Sequence, residues 1–198
     1  MQKALLLIDK ISTLFGQVFA WSIIALTLVV SYEIFMRTVF RAPTGWAFDW
    51  SYILYGTLFM TAGAYALARN AHVRGDFVYR KFSVRTQAWL DLVLYFLFFF
   101  PGMIAFIYSG YGFAWISWLI NERSMFSPNG PLLWPFKALI PICGAFLVLQ
   151  GIAEVIRCVI AIRTGAWPER LHDVEETEKL ILERAEAEAA AAAMKVTR

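Results

Sequence analysis

The chain has 198 residues, 60% of them apolar and 17% aromatic, with only 17% charged, a net charge of +3 and a mean hydropathy of +0.58. Soluble domains run at about 45–50% apolar and about 25% charged, so an ordinary water-soluble domain is excluded and a membrane protein is the starting point. The sequence carries no basic stripe interleaved with aromatics, so nucleic acid drops out as a partner.

Four uncharged runs follow in chain order: Ile11 to Tyr32, Trp50 to Ala68, Leu92 to Asn121, and Ala138 to Ala153. A helix needs about 20 apolar residues to cross a hydrocarbon layer of about 30 Å. The sequence therefore predicts four transmembrane helices, over about 11–36, 47–68, 90–120 and 134–160. Lys3 and Lys10 precede the first run as in a secretory signal. That run is long for a signal's apolar region and lacks a cleavage site, so it is expected as a retained span. The third run, about 30 residues, must tilt or project beyond the bilayer. Pro101, Gly102 and Pro141 predict kinks.

Four crossings put the N-terminus, the loop between spans two and three, and the C-terminus on one side. That side carries Lys3, Lys10, Arg69, Arg74, Arg80, Lys81, Arg85, Arg157, Arg163 and Arg170, against Arg37, Arg41, Arg123 and Lys137 opposite. The bias predicts cytoplasmic termini. Trp46, Trp50, Trp115, Trp118 and Trp134 fall at the outer ends of their spans and Trp89 and Trp167 at the inner boundary, where an amphipathic indole prefers to sit.

Between spans two and three, the segment from His72 to Asp91 alternates cations with Val73, Phe77, Val78, Phe82, Val84 and Trp89. A short interfacial helix would bury those apolar groups and leave Arg74, Arg80, Lys81 and Arg85 among lipid phosphates. The outer loop from Asn121 to Lys137, with Pro128, Asn129, Gly130, Pro131 and Pro135, predicts an ordered turn. It reads as a connector that could also touch an external partner. After Gly165, Trp167 and Pro168 the composition turns acidic and Ala-rich, and a solvated helical tail is expected.

The only histidines, His72 and His172, lie outside the spans, which disfavours a haem subunit. Cys143 and Cys158 are fifteen positions apart on one helix, too far to pair, and match no metal spacing. No phosphate loop, nucleophile elbow or zinc-protease motif occurs. With no acid, base or nucleophile constellation, no enzyme, cofactor or metal is expected. No ionisable residue is placed in the middle of a span, so the membrane-embedded portion is expected to be electrically silent and unable to conduct cargo alone. Ionisable residues cluster at span ends instead. Glu33 and Arg37 stand four apart and Asp49 opens the second span, a possible knot locking the first hairpin. Gly56 and Gly63, like Gly144 and Gly151, are seven apart and mark helix faces built for close approach.

Three motifs in order carry a family resemblance: Tyr32-Glu33-Ile34-Phe35-Met36-Arg37-Thr38-Val39-Phe40, then Ala42-Pro43-Thr44-Gly45-Trp46-Ala47-Phe48-Asp49, then His72-Val73-Arg74-Gly75-Asp76-Phe77 with Tyr79. Together they resemble the small membrane (Q) subunit of tripartite ATP-independent periplasmic (TRAP) transporters. Asp49 stands where Glu is commoner in that family and Gly75 where an apolar residue is usual; the tail beyond residue 165 is not a family hallmark.

The resemblance implies an all-α membrane protein of the inner (cytoplasmic) membrane of bacteria. The runs and loops read above give it a four-helix transmembrane domain over 1–163, a short interfacial helix between the second and third spans, and a charged cytoplasmic tail over 164–198. It further implies a static scaffold for a large elevator subunit in sodium-coupled uptake of an organic acid delivered by a periplasmic solute-binding protein, with membrane lipids as further partners. Glu33, Arg37, Trp46, Asp49, His72, Arg74 and Asp76 occupy its motif positions, and they are assigned to hairpin locking and loop anchoring rather than to substrate or sodium. The competing reading is a four-helix membrane assembly or lipid-binding factor unrelated to transport, working through its basic loop.

Overall fold

The computed structural model describes residues 2–71, 79, 81–168, 170 and 184. These residues form helices and connectors, with a single isolated bridge between Arg123 and Leu132 as the only extended pairing described. His72, Arg74, Asp76 and Arg80, and the tail beyond Arg170 apart from Arg184, lie outside the described residues.

Helices α1 (Gln2–Ala20) and α2 (Ser22–Val39) form one long rod, interrupted only at Trp21. The helix thus begins nine residues before the expected start of the first span, because nothing between Gln2 and Ala20 breaks it. Leu5, Asp9, Ser12, Thr13 and Gly16 recur at three- and four-residue spacing and face inward. In contrast, α2 buries none of its residues.

Helix α3 (Ala47–Ala68) is a 22-residue rod, about 33 Å long at 1.5 Å per residue. Among the described residues, three helical stretches are long and apolar enough to cross a membrane: Gln2–Val39, Val84–Leu119 and Trp134–Thr164. Helix α3 is not among them, since Thr57, Thr61 and four tyrosine and serine side chains dilute its apolar content.

The second long rod comprises α4 (Val84–Leu94), a π-helical turn (Tyr95–Phe99) and α5 (Phe100–Leu119). Pro101 offers no N–H to the preceding turn. The ladder widens there, with the Phe100 N–H reaching the Tyr95 carbonyl. Helical hydrogen bonding continues through this turn into α5. From Val84 onward, the segment expected as a separate interfacial helix is the start of this rod. Ser83 caps it, and no Gly or Pro stops it before Pro101.

Helix α6 (Trp134–Thr164) carries Pro141 inside it and ends at Gly165, whose left-handed φ of 78° and N–H to Ala161 O (2.8 Å) close the last turn. It packs against α1, α3, α4 and α5, while α3 packs against α1, α2 and α6. Helices α3 and α6 are therefore the central pair, with one long rod on each flank.

Glycine notches set the close approaches. A methyl at Gly16 would meet Tyr65 Cβ at 2.5 Å, one at Gly56 would meet the Phe136 ring at 2.5 Å, and one at Gly144 would meet Ile107 at 2.6 Å. Gly151 receives Phe99, and Gly110 receives Ile140. The two sequence pairs resolve as seams within this chain: Gly56 and Gly63 face α6, and Gly144 and Gly151 face the second rod.

Candidate functional site

Two polar stations, one at each end of the bundle, hold the rods in register. At the end that the sequence leads one to expect on the outer side, Glu33 lies near the C-terminus of α2 with Arg37 one turn on. Arg37 Nη2 and Nε donate to Glu33 Oε1 at 2.7 and 3.1 Å. The second oxygen, Oε2, accepts the Thr44 N–H at 2.9 Å and the Thr44 hydroxyl. Glu33 thereby pins the connector after α2. Trp46, at the N-terminus of α3, stacks on Tyr32 with centroids 5.8 Å apart.

Asp49 does not join this pair. It is fully buried in the first turn of α3, and its carboxylate accepts from the hydroxyls of Ser124 and Ser127 in the connector between α5 and α6. The expected three-residue knot is thus two separate ties, because one helical turn directs Asp49 toward that connector rather than back to α2. Glu122 and Lys137 close the same connector with an ion pair, and the Lys137 ammonium also lies 3.8 Å from the Phe113 ring centroid. The Lys137 ammonium holds the Glu122 carboxyl below its ordinary range.

At the opposite end lies a buried ionic network that the expectation of an electrically silent interior omitted. Arg157 on α6, placed among the inner-boundary cations by sequence, is 0% exposed. Its Nη2 bonds Asp9 Oδ2 on α1 at 2.5 Å and its Nη1 bonds Glu154 Oε1 at 2.6 Å. Gln150 Nε2 donates to Asp9 Oδ1 at 2.8 Å, and the Ser12 hydroxyl donates to Gln150 Oε1 at 3.1 Å. Beyond the end of α6, Arg170 grips both oxygens of Glu154 at 2.8 and 3.0 Å.

Two carboxylates and two guanidiniums cancel in charge, so the network can remain buried. A signal for it existed: Gln150, Glu154 and Arg157 stand at i, i+4 and i+7 and so share one helix face, as do Asp9 and Ser12 at i and i+3. Their pairing across 148 positions carried no local mark.

Lys81 and Arg85, the described members of the expected basic loop, flank Ser83 at the start of the second rod, and both are exposed. Nearby, Gln87 Nε2 donates to the carbonyls of Tyr79 and Phe82, each at 3.0 Å. Gln87 Oε1 accepts from Trp167 Nε1 at 3.4 Å. Ala88, Cys158 and Ala161 form a small apolar core beneath this clasp. His72, Arg74, Asp76 and Arg80 fall outside the described residues, so the structure sets no position for them.

No group of three or more metal-ligating side chains occurs among the described residues. The outer surfaces of the rods are apolar, with Ile24, Leu28, Ile34 and Phe35 exposed on α2 and Ile104, Tyr108 and Ile116 exposed on α5. Such surfaces face lipid or another membrane protein.

No curated protein sequence matches the chain. A family model described as "Tripartite ATP-independent periplasmic transporters, DctQ component" matches residues 26–161, more than half of the chain, from Leu26 within α2 through α6 up to Ala161. That stretch includes both outer ties and the α6 half of the inner network, and this membrane protein belongs to the DctQ component family of the tripartite ATP-independent periplasmic transporters.

Proposed function

We propose that this chain is the static wall of its transporter, a small permease subunit of the inner membrane against which a large elevator subunit slides. The solute is an organic acid, delivered by a periplasmic solute-binding protein and carried inward by the large subunit with sodium. In this reading α3 is a fourth crossing, residues 1–163 are the membrane domain, residues 164–198 are a cytoplasmic tail, and both termini face the cytoplasm.

The observation that carries the reading is the contrast between interior and exterior. The bundle is tied internally at both ends, by Asp49 with Ser124 and Ser127 and by Asp9 with Arg157 and Glu154. Outside, α2 buries nothing and α5 buries only Gly110 and Ser117. A sliding subunit needs a fixed apolar face, and charges neutralised inside a locked bundle leave no path for cargo. Glu33, Arg37, Trp46 and Asp49 serve as the outer locks, and Lys81 and Arg85 meet lipid phosphates. His72, Arg74, Asp76 and Arg80 would anchor the cytoplasmic loop.

Co-expression with the large subunit and the binding protein tests this role. The chain should copurify with the large subunit, and proteoliposomes should take up solute only when both are present. Solute uptake by this chain alone would overturn the proposal. Charge reversal at Lys81 and Arg85 separates the scaffold from a lipid-binding factor: it should reduce complex yield rather than abolish a lipid selectivity of the isolated chain.

A further inference from the structure

We infer that the connector between α5 and α6 lies in the membrane interface, with Met125 and Phe126 inserted among the acyl chains of lipids rather than standing in water. The inference rests on the membrane-spanning reading of this family but not on the scaffold role.

Position is the first argument. The Phe126 ring lies 5.0 Å from Phe48 and 6.1 Å from Tyr52, centroid to centroid. Those two residues are one turn apart on α3. The connector therefore folds back along the first turns of that helix, at the depth of its aromatic residues. At that depth Met125 is 97% exposed and Phe126 70% exposed. From Ser124 through Phe136 the sequence contains no charged residue. The neighbouring Trp118 and Trp134 meet edge to face at 4.5 Å, in the position of an interfacial aromatic belt.

Backbone chemistry is the second argument. A loop in water can leave its N–H and C=O groups to solvent, whereas a loop whose tip dips among acyl chains loses that solvent and gains by satisfying them internally. Here the Ser124 N–H reaches Pro131 O (3.0 Å), the Gly130 N–H reaches Ser127 O (3.1 Å), and the Leu133 N–H reaches Glu122 O (2.9 Å). The Phe126 N–H turns to the Ser124 hydroxyl oxygen at 3.3 Å. Arg123 Nη1 donates to Gly130 O at 3.2 Å. Gly130 sits so close to the Ser124 carbonyl that any side chain would collide with it. Asp49 completes the arrangement, since its buried carboxylate accepts from the Ser124 and Ser127 hydroxyls, the second of which also lies against the Gly45 carbonyl. The occupant this chemistry fits is lipid, because the two exposed side chains are a thioether and an aromatic ring, and the flanking hydroxyls of Ser124 and Ser127 are taken up inside the connector by Asp49.

The test uses the full chain in lipid nanodiscs, alone and with its large subunit, bearing an environment-sensitive bimane on Met125→Cys or, for contrast, on Asn129→Cys at the exposed turn. Cys143 and Cys158 are buried, so the introduced thiol takes the label. The label at position 125 should lose most of its emission to spin-labelled phospholipid and little to aqueous iodide, while the label at 129 should behave the opposite way. Adding Ser124→Ala and Ser127→Ala should release the segment and make position 125 accessible to iodide. Iodide access at 125 in the unaltered connector would overturn the inference. Shielding from both quenchers that appears only with the large subunit would also overturn it, by assigning the tip to a protein contact. Copurification measured on the same samples reports separately on the scaffold role.

Discussion

Arg157 and Arg37 are both arginines paired to acids on helices, yet their environments differ in the way that sets their energetic weight. Removing Arg157 would leave the buried Asp9 carboxylate with no cation, while Glu154 keeps Arg170, a loss of about 3–5 kcal/mol for a broken buried pair. Arg37, whose side chain is 68% exposed, should cost only about 0–1 kcal/mol on truncation. Thermal unfolding of Arg157→Ala and Arg37→Ala in the same detergent should show a large drop for the first and almost none for the second. Equal losses would mean that the buried network is not what holds α1 to α6. Asp49→Ala belongs between them, because it deprives the buried Ser124 hydroxyl of its acceptor while Ser127 keeps the Gly45 carbonyl, at about 1–3 kcal/mol; the same melts should rank it so.

The Glu122 and Lys137 tie adds a pH dependence. The native carboxyl is held below its ordinary value, so the unfolded state binds protons more readily and the stabilisation is fully present above about pH 4.3. It is lost as pH falls below that value and on through the lowered native one. Acid unfolding followed by circular dichroism should show this loss in the native chain and its absence in Glu122→Gln.

At the scale of elements, the glycine seams make a sharp prediction. Gly144→Leu would force Ile107 and Phe106 away from α6, and overpacking of this kind costs about 1–3 kcal/mol. Gly102 has open space around it. Gly102→Ala should therefore be neutral or stabilising by up to about 1 kcal/mol, the helix-propensity difference. A melting temperature lowered as much by the second change as by the first would contradict the packing account.

Much of this level was legible in the sequence. Uncharged runs located the long rods, and seven-residue glycine spacing located two seams, because both signals are periodic and local. The rest needed distances that sequence does not carry. Asp49 could be placed at the start of α3 but not aimed at Ser124, 75 positions away. Arg157 looked like a boundary cation because its partner Asp9 lies on the first helix, outside the expected span. The π turn before Pro101 was not legible either, since the one-residue shift of the hydrogen-bond ladder that accommodates the missing N–H leaves no mark in the sequence.

For the whole molecule, the central claim is that the bundle does not change shape while its transporter works. The inner network bridges α1 and α6, the outer connector bridges α3, α5 and α6, and the glycine seams leave little room for sliding between rods. Spin labels at exposed Leu28 on α2 and Ile104 on α5, in the complex with the large subunit, read the distance between the flanking rods. Pulsed electron spin resonance should give one distance distribution, unshifted between sodium-free and sodium-plus-solute conditions. A distribution that moves or splits when sodium and solute are added would contradict the static wall and assign this chain a moving part in transport.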